Sequence, residues 1–438
     1  MEEQEPKKLK RSIGLWSAVA INVGAIIGGG IFVVTGIVAG YAGSALIISM
    51  IIAGIIAFIT ALSFAKLTTW QPVEGSVYEY GRQLVSPYAG FLAGWMWIVA
   101  NTFTGAAVSL GFANYLTSAF PSLQAAIPIA FGVAVSTGSV IAAILCICFT
   151  GLNLVGAKES ASVNNVLVAI KLGILGFFVL FGVFYVNSGN FLPFEPLTSG
   201  VLYGSFFIFF AYGGFARVAV VAEEVKDAKR NVPKAMLLSL GISMVIYILV
   251  GLVAVGLLGP VGLNASDSPL TSAIGVSGSP IAMQVVSFGG LVATASVLLT
   301  AILGVSRMAF SMARGKDLPS ALARLHSRFL TPYWAILATG AVMAVLVLFV
   351  NLTGVVAIST FALLFNYSIT NISAYKLKTD RSWRRFMPLL GLATCGLLLV
   401  FILFASPVAW LVGLVFLVAG SVYFVLHRKL TEAKESVR

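Results

Sequence analysis

Long apolar stretches alternate along this chain with short segments that gather nearly all of its charge. No Asp, Glu, Lys or Arg occurs from Gln83 to Ala157, from Tyr333 to Tyr375, or from Phe386 to Leu426. A hydrocarbon core takes about 20 residues of apolar helix to cross, so each stretch holds about two crossings. The whole pattern predicts about twelve helical spans, at 14–39, 43–66, 88–119, 126–152, 160–186, 200–224, 235–258, 281–312, 333–350, 354–375, 386–404 and 407–427. These segments are continuously apolar rather than alternating, which excludes a closed barrel of strands. The fold class is therefore an all-α polytopic membrane protein.

Composition agrees. Of 438 residues, 59% are apolar and 10% charged, where soluble proteins carry about 25% charged. A water-soluble enzyme and a disordered chain are excluded. The net charge of +12 resembles a nucleic-acid signal until it is placed. Lys7, Lys8, Lys10 and Arg11 precede the first span. Arg82 and Lys158 lie in the next two connections of that side. Lys226, Lys229, Arg230 and Lys234 follow span 6; Arg314, Lys316, Arg324 and Arg328 follow span 8. Lys376, Lys378, Arg381, Arg384 and Arg385 follow span 10, and the tail adds four more. The opposite connections hold only the acids Glu195 and Asp267. The positive-inside rule then puts both termini in the cytoplasm of a cell-membrane protein. The charge is topology; no nucleic acid is expected, and the bilayer is the main partner.

Cys146, Cys148 and Cys395 fall inside spans, and His326 and His427 in basic segments. Neither a disulfide framework nor a metal or other cofactor is expected. Gly151 to Lys158 fails as a phosphate-binding loop, with Ala157 and Glu159 at the positions that need Gly and Ser or Thr. The apolar run after the basic N-terminus is too long for a cleavable signal peptide.

Two spans carry glycine-rich interruptions. Span 1 reads Val23-Gly24-Ala25-Ile26-Ile27-Gly28-Gly29-Gly30-Ile31-Phe32, and span 6 reads Phe209-Phe210-Ala211-Tyr212-Gly213-Gly214-Phe215. A glycine inside a helix costs roughly 1 kcal/mol relative to alanine. Irregular backbone at membrane depth is tolerated only against protein or a cavity. Gly24 and Gly28 also fit a small-residue packing face. Matching interruptions in two halves point to a transporter binding site. Here spans 1–5 (14–186) and 6–10 (200–375) are those halves, inverted because five is odd. Spans 11 and 12 (386–427) are accessory, and 1–13 and 428–438 are tails. A half-helix N-terminus attracts an anion and a half-helix C-terminus a cation. A zwitterion such as an α-amino acid satisfies both.

Lys171 lies well inside span 5, too deep for its stem to reach water, so it faces the bundle interior. A desolvated lysine can exchange protons; the alternatives are a fixed ammonium replacing a bound cation and a permanently paired structural cation. Carbonyls near Gly24 and the hydroxyls of Thr294, Ser296 and Thr300 are its expected partners. Arg217, in the second half of span 6, is expected to pair with Glu223 and Glu224, as a structural contact or an inner gate; contact to an acidic substrate is the alternative.

At these residues the chain resembles the amino acid–polyamine–organocation transporters. Gly24 to Phe32 and Phe210 to Phe215, the latter running on to Pro233, are similar to the family's two helix breaks. Gly75-Ser76-Val77-Tyr78-Glu79-Tyr80 resembles the motif before helix 3, and Arg307 to Pro319 the loop after helix 8. The resemblance implies a five-plus-five inverted-repeat fold with substrate between helices 1, 3, 6, 8 and 10. It implies that Ile27, Gly28, Gly29 and Gly30 bind the substrate carboxylate. Phe210, Ala211 and Gly213 would receive the ammonium and side chain, with Phe210 also an outer gate. It implies that Lys171 fills a cation site between helices 1, 5 and 8. Gly29 stands where many members have Ser or Ala, so a side-chain hydroxyl contact is absent; Ala216 stands where many have an acid, and losing that anion beside the cation Arg217 argues mildly against a polyamine or dibasic substrate. The expected function is amino acid transport, proton-driven or by exchange, without an obligatory partner subunit. Polyamine or acidic-solute carriage is the alternative, and a channel or sensor the remote one.

Overall fold

The first apolar helix, Leu15–Ile26 (α1), stops at Ile27, whose ψ of 90° takes the chain out of helical geometry. The chain restarts in a wide π turn, Gly30–Val34, and continues as Thr35–Ala42 (α2). Leu46–Trp70 (α3) follows, then the short Ser76–Leu84 (α4) and the long Pro87–Ala119 (α5). The remaining helices of the first half are Thr137–Val155 (α6) and Ala161–Gly182 (α7). The second half opens with Ser199–Tyr212 (α8), a 3₁₀ turn at Gly213–Ala216, and Arg217–Val220 (α9). It continues through Ala228–Asn264 (α10), Pro269–Gly275 (α11), Pro280–Arg314 (α12), Tyr333–Phe349 (α13) and Leu352–Lys376 (α14). Trp383–Ala405 (α15) and Pro407–Ser436 (α16) close the chain. This computed structural model describes all residues except 1–12, 74, 124–125, 129–133, 156–160, 221, 223–224, 330, 378–382 and 437–438.

Among the described residues, ten helical stretches are long and apolar enough to cross a membrane, with Leu15–Trp70 taken as one; Tyr333–Phe349 is apolar but shorter. The start expected for span 4 needs correction. Ala126–Pro128 (β1) pairs antiparallel with Ala134–Ser136 (β2), and the helix begins only at Thr137. Pro128 has no amide hydrogen to give to a helix. The Ser136 hydroxyl accepts from the Ser139 amide at 3.0 Å, which is an N-cap. Apolarity alone did not reveal either feature.

The helices pack in two groups. α5 packs mainly on α12 and α14, while α3 packs on α8 and α10, and α1 on α10. The glycine-rich segments of the first and second halves meet where these groups face each other.

Candidate functional site

The meeting point is tight because the side chains are missing. A Cβ on Gly30 would lie 2.5 Å from Ala211 Cα, and one on Gly214 would run into the Ala25 carbonyl and lie 2.6 Å from the Ile26 amide nitrogen. Only glycine lets the two backbones approach this closely. The interruption frees carbonyls, and buried carbonyls need partners. Tyrosines supply several of them. The Tyr247 hydroxyl sits 2.7 Å from the Ile26 oxygen and 3.1 Å from the Ala211 oxygen, serving both segments at once. Tyr367 donates to the Gly213 oxygen at 2.8 Å, and Tyr115 to the Phe32 oxygen at 2.6 Å.

Lys171 belongs to the same set. Its side chain is 2% exposed, and Nζ donates to the Gly24 oxygen at 3.1 Å. The three hydroxyls expected beside it donate along their own helix, Thr294 to the Gly290 carbonyl, Ser296 to Ala293 and Thr300 to Val297, as Ser and Thr commonly do in helices; their oxygens keep lone pairs that accept from an ammonium. The Thr294 methyl packs beside Gly29.

A cavity opens at the pivot, lined by Gly28, Gly29 and Gly30 on one side and by Phe210, Ala211, Gly213 and Gly214 on the other. α5 contributes Asn101, Thr104 and Val108, α12 Val297 and α14 Leu363, with Arg217 at one edge. Ile27, between Ile26 and Gly28 of this lining, is itself fully buried and is not part of it. Asn101, Thr104 and Val108 share a helical face at i, i+3 and i+7, a pattern legible in sequence that sequence analysis missed. The cavity is about 30 Å³, against roughly 300–1,000 Å³ for ordinary ligand pockets. A solute larger than a few waters requires the walls to separate.

A second, wider space of about 650 Å³ lies beyond Val33, lined by Gly36, Tyr41, Asn114, Asn264, Asp267 and Asn351 among others. It is at the end of the bundle opposite the basic loops. At the basic side the cavity is closed by a clasp. Asn22 on α1 donates to the Phe215 oxygen at 2.7 Å and accepts from the Val218 amide at 2.8 Å. The asparagine thus locks α1 to the turn and helix that follow α8, and each of the two buried groups would cost about 1–3 kcal/mol if left unpaired. Arg217 reaches across to α5 and α12: its guanidinium donates to Asn101 Oδ1 at 3.2 Å and the Thr300 oxygen at 3.4 Å, and lies 5.8 Å from the Trp97 ring centre. The expected partners Glu223 and Glu224 lie outside the described residues.

Among the described residues no group of three His, Cys, Asp or Glu could hold a metal ion. Residues 13–426 match the family described as amino acid permease. An uncharacterized transporter of Mycobacterium tuberculosis is 35% identical, over 92% of this chain and 88% of the relative. The methylthioribose transporter of Bacillus subtilis is 31% identical, over 98% and 95%. The branched-chain amino acid permease of the same organism is 29% identical, over 97% and 94%. These relatives are transporters, not enzymes, and with the family match covering nearly the whole chain, the protein belongs to the amino acid permease family.

Proposed function

We propose that the protein is a secondary active carrier of amino acids in the cell membrane, working by alternating access. In this reading it has twelve crossings, an inverted five-plus-five repeat and both termini in the cytoplasm. The observation that carries it is the cavity where the Gly28–Gly30 backbone faces Phe210, Ala211 and Gly213. The restarted segment at Gly30 turns its positive end toward a substrate carboxylate. The carbonyl-rich ends of α1 and α8 receive the ammonium. Val108, Val297, Leu363 and Phe210 form an apolar wall, which suits an aliphatic side chain. Phe210 acts as the outer gate toward the wide space. Arg217, held by Asn101, Thr300 and Trp97, acts with Asn22 as the inner one.

Lys171 supplies coupling. Its ammonium on the Gly24 carbonyl holds the end of α1, and release of its proton frees that end to move. Sodium coupling is disfavoured because a fixed ammonium repels a second cation nearby. Carriage of acidic solutes is a second reading, favoured by Arg217 at the edge of the cavity.

The test is uptake of a labelled panel into proteoliposomes, with and without an inward proton gradient. Neutral aliphatic amino acids are expected to be taken up best and to gain from the gradient. Preference for glutamate or aspartate would favour the second reading. Uptake of methylthioribose or a polyamine, with no amino acid transported, would overturn the assignment.

A further inference from the structure

The two basic-end sequence motifs that the transport site does not use come together in space. Tyr78 on α4 donates to Asp317 Oδ2 at 2.7 Å, and Arg82 donates to the Tyr78 oxygen at 2.7 Å and lies 4.0 Å from the same carboxylate. Burial and then the Asp317 carboxylate push the Tyr78 phenol above its ordinary range, so it remains a donor. Gly315 leaves the room for this: a Cβ there would collide with the Tyr78 oxygen and lie 3.1 Å from Arg82 Nη1. The next residue, Lys316, has a left-handed backbone, φ 62°. Its carbonyl lies 2.8 Å from His427 Nε2 on α16, and His427 is stacked on Tyr423. Arg428 follows immediately.

Two helices, α4 and α16, and the loop after α12 thus bring Arg82, Arg428 and Lys316 into one neighbourhood, and all three residues are exposed. Beside them Tyr88 bonds Ser421 at 2.8 Å, an aromatic with a polar tip of the kind that marks the membrane interface. Along α16, Val415, Val418, Val422 and Val425 face outward, an apolar strip leading away from the cations. A group with a negative head and long apolar chains matches both features, whereas a free anion uses only the first.

We propose that Arg82, Lys316 and Arg428 bind the phosphate headgroup of an anionic phospholipid, whose acyl chains lie along the outward face of α16. Clustered basic residues beside membrane helices are a general means of attracting such lipids. Because Arg82 is already clamped by Tyr78 and Asp317, the headgroup meets a pre-positioned guanidinium. The bound lipid would join α4, the loop after α12 and α16.

Native mass spectrometry of the full chain in detergent, titrated with phosphatidylglycerol or phosphatidylcholine, tests this. Phosphatidylglycerol is expected to bind more tightly, and K316Q/R428Q, which leaves the Tyr78–Arg82–Asp317 contacts intact, to lose roughly fivefold in affinity per cation removed. K229Q/R230Q/K234Q, in the basic first turns of α10, should keep the preference. Equal loss in both variants would reduce the site to general surface charge and overturn the proposal. So would displacement of the lipid by millimolar inorganic phosphate with no dependence on acyl chains, which would assign the cations to a free anion.

Discussion

Lys171→Arg is expected to bind substrate and to lose uptake driven by a proton gradient. An inward gradient of one pH unit is worth about 1.4 kcal/mol, about tenfold in accumulation for one proton per substrate. The wild type should approach that tenfold, and the variant should stay near onefold. Arginine keeps a cation and donors for the Gly24 carbonyl but does not release its proton. Lys171→Ala removes the proton carrier and also leaves the buried Gly24 oxygen without the donor now 3.1 Å away. It should likewise lose the gradient response. The pair of variants separates the two roles of a buried cation. If Lys171 only replaces a bound cation, arginine should preserve whatever transport the wild type has and alanine should not. Gradient-driven accumulation by Lys171→Arg equal to wild type would therefore remove Lys171 from the coupling step.

Gly214→Ala is the second large effect. Its new methyl meets the backbone of Ala25 and Ile26, which does not rotate away as a side chain does. Overpacking of this kind costs about 1–3 kcal/mol, and here it forces α1 away from the turn after α8, against the Asn22 clasp. Uptake should fall by about tenfold or more, with a lower melting temperature in detergent. Gly241→Ala on α10, away from the cavity, is the control. Its methyl meets nothing within 4 Å, and uptake should stay within about twofold of wild type. Equal effects at both positions would contradict the close backbone approach as the structural reason for Gly214.

Much of this arrangement can be read from residue order, and the rest is hidden for identifiable reasons. Helix positions follow from the length of apolar runs, which is why Pro87–Ala119 and Pro280–Arg314 lie within a few residues of their expected spans. Depth within a span singles out Lys171, because a lysine stem has a fixed reach. The pairing of Ala126–Pro128 with Ala134–Ser136 is hidden because these residues are as apolar as the helix that follows. Tyr247, Tyr367 and Tyr115 are hidden because an aromatic inside an apolar span looks the same whether it packs or holds a carbonyl. Asn22 gives no periodic signal, since its two partners, Phe215 and Val218, are nearly two hundred positions away. The pivot of the second half departs from the expected break. It tightens into a 3₁₀ turn at Gly213–Ala216 and stays helical in hand, with Tyr367 holding the Gly213 oxygen. The first half, with three consecutive glycines, leaves helical geometry at Ile27.

The central claim is that substrate crosses through a cavity closed to at least one side at a time. Counterflow in proteoliposomes tests it most directly, with unlabelled leucine inside and a trace of labelled leucine outside. An alternating carrier accumulates label transiently above its equilibrium level, and Gly214→Ala should suppress the overshoot while Gly241→Ala retains it. Label that only relaxes to equilibrium, with no overshoot at any internal concentration, would describe an open pathway and contradict the account.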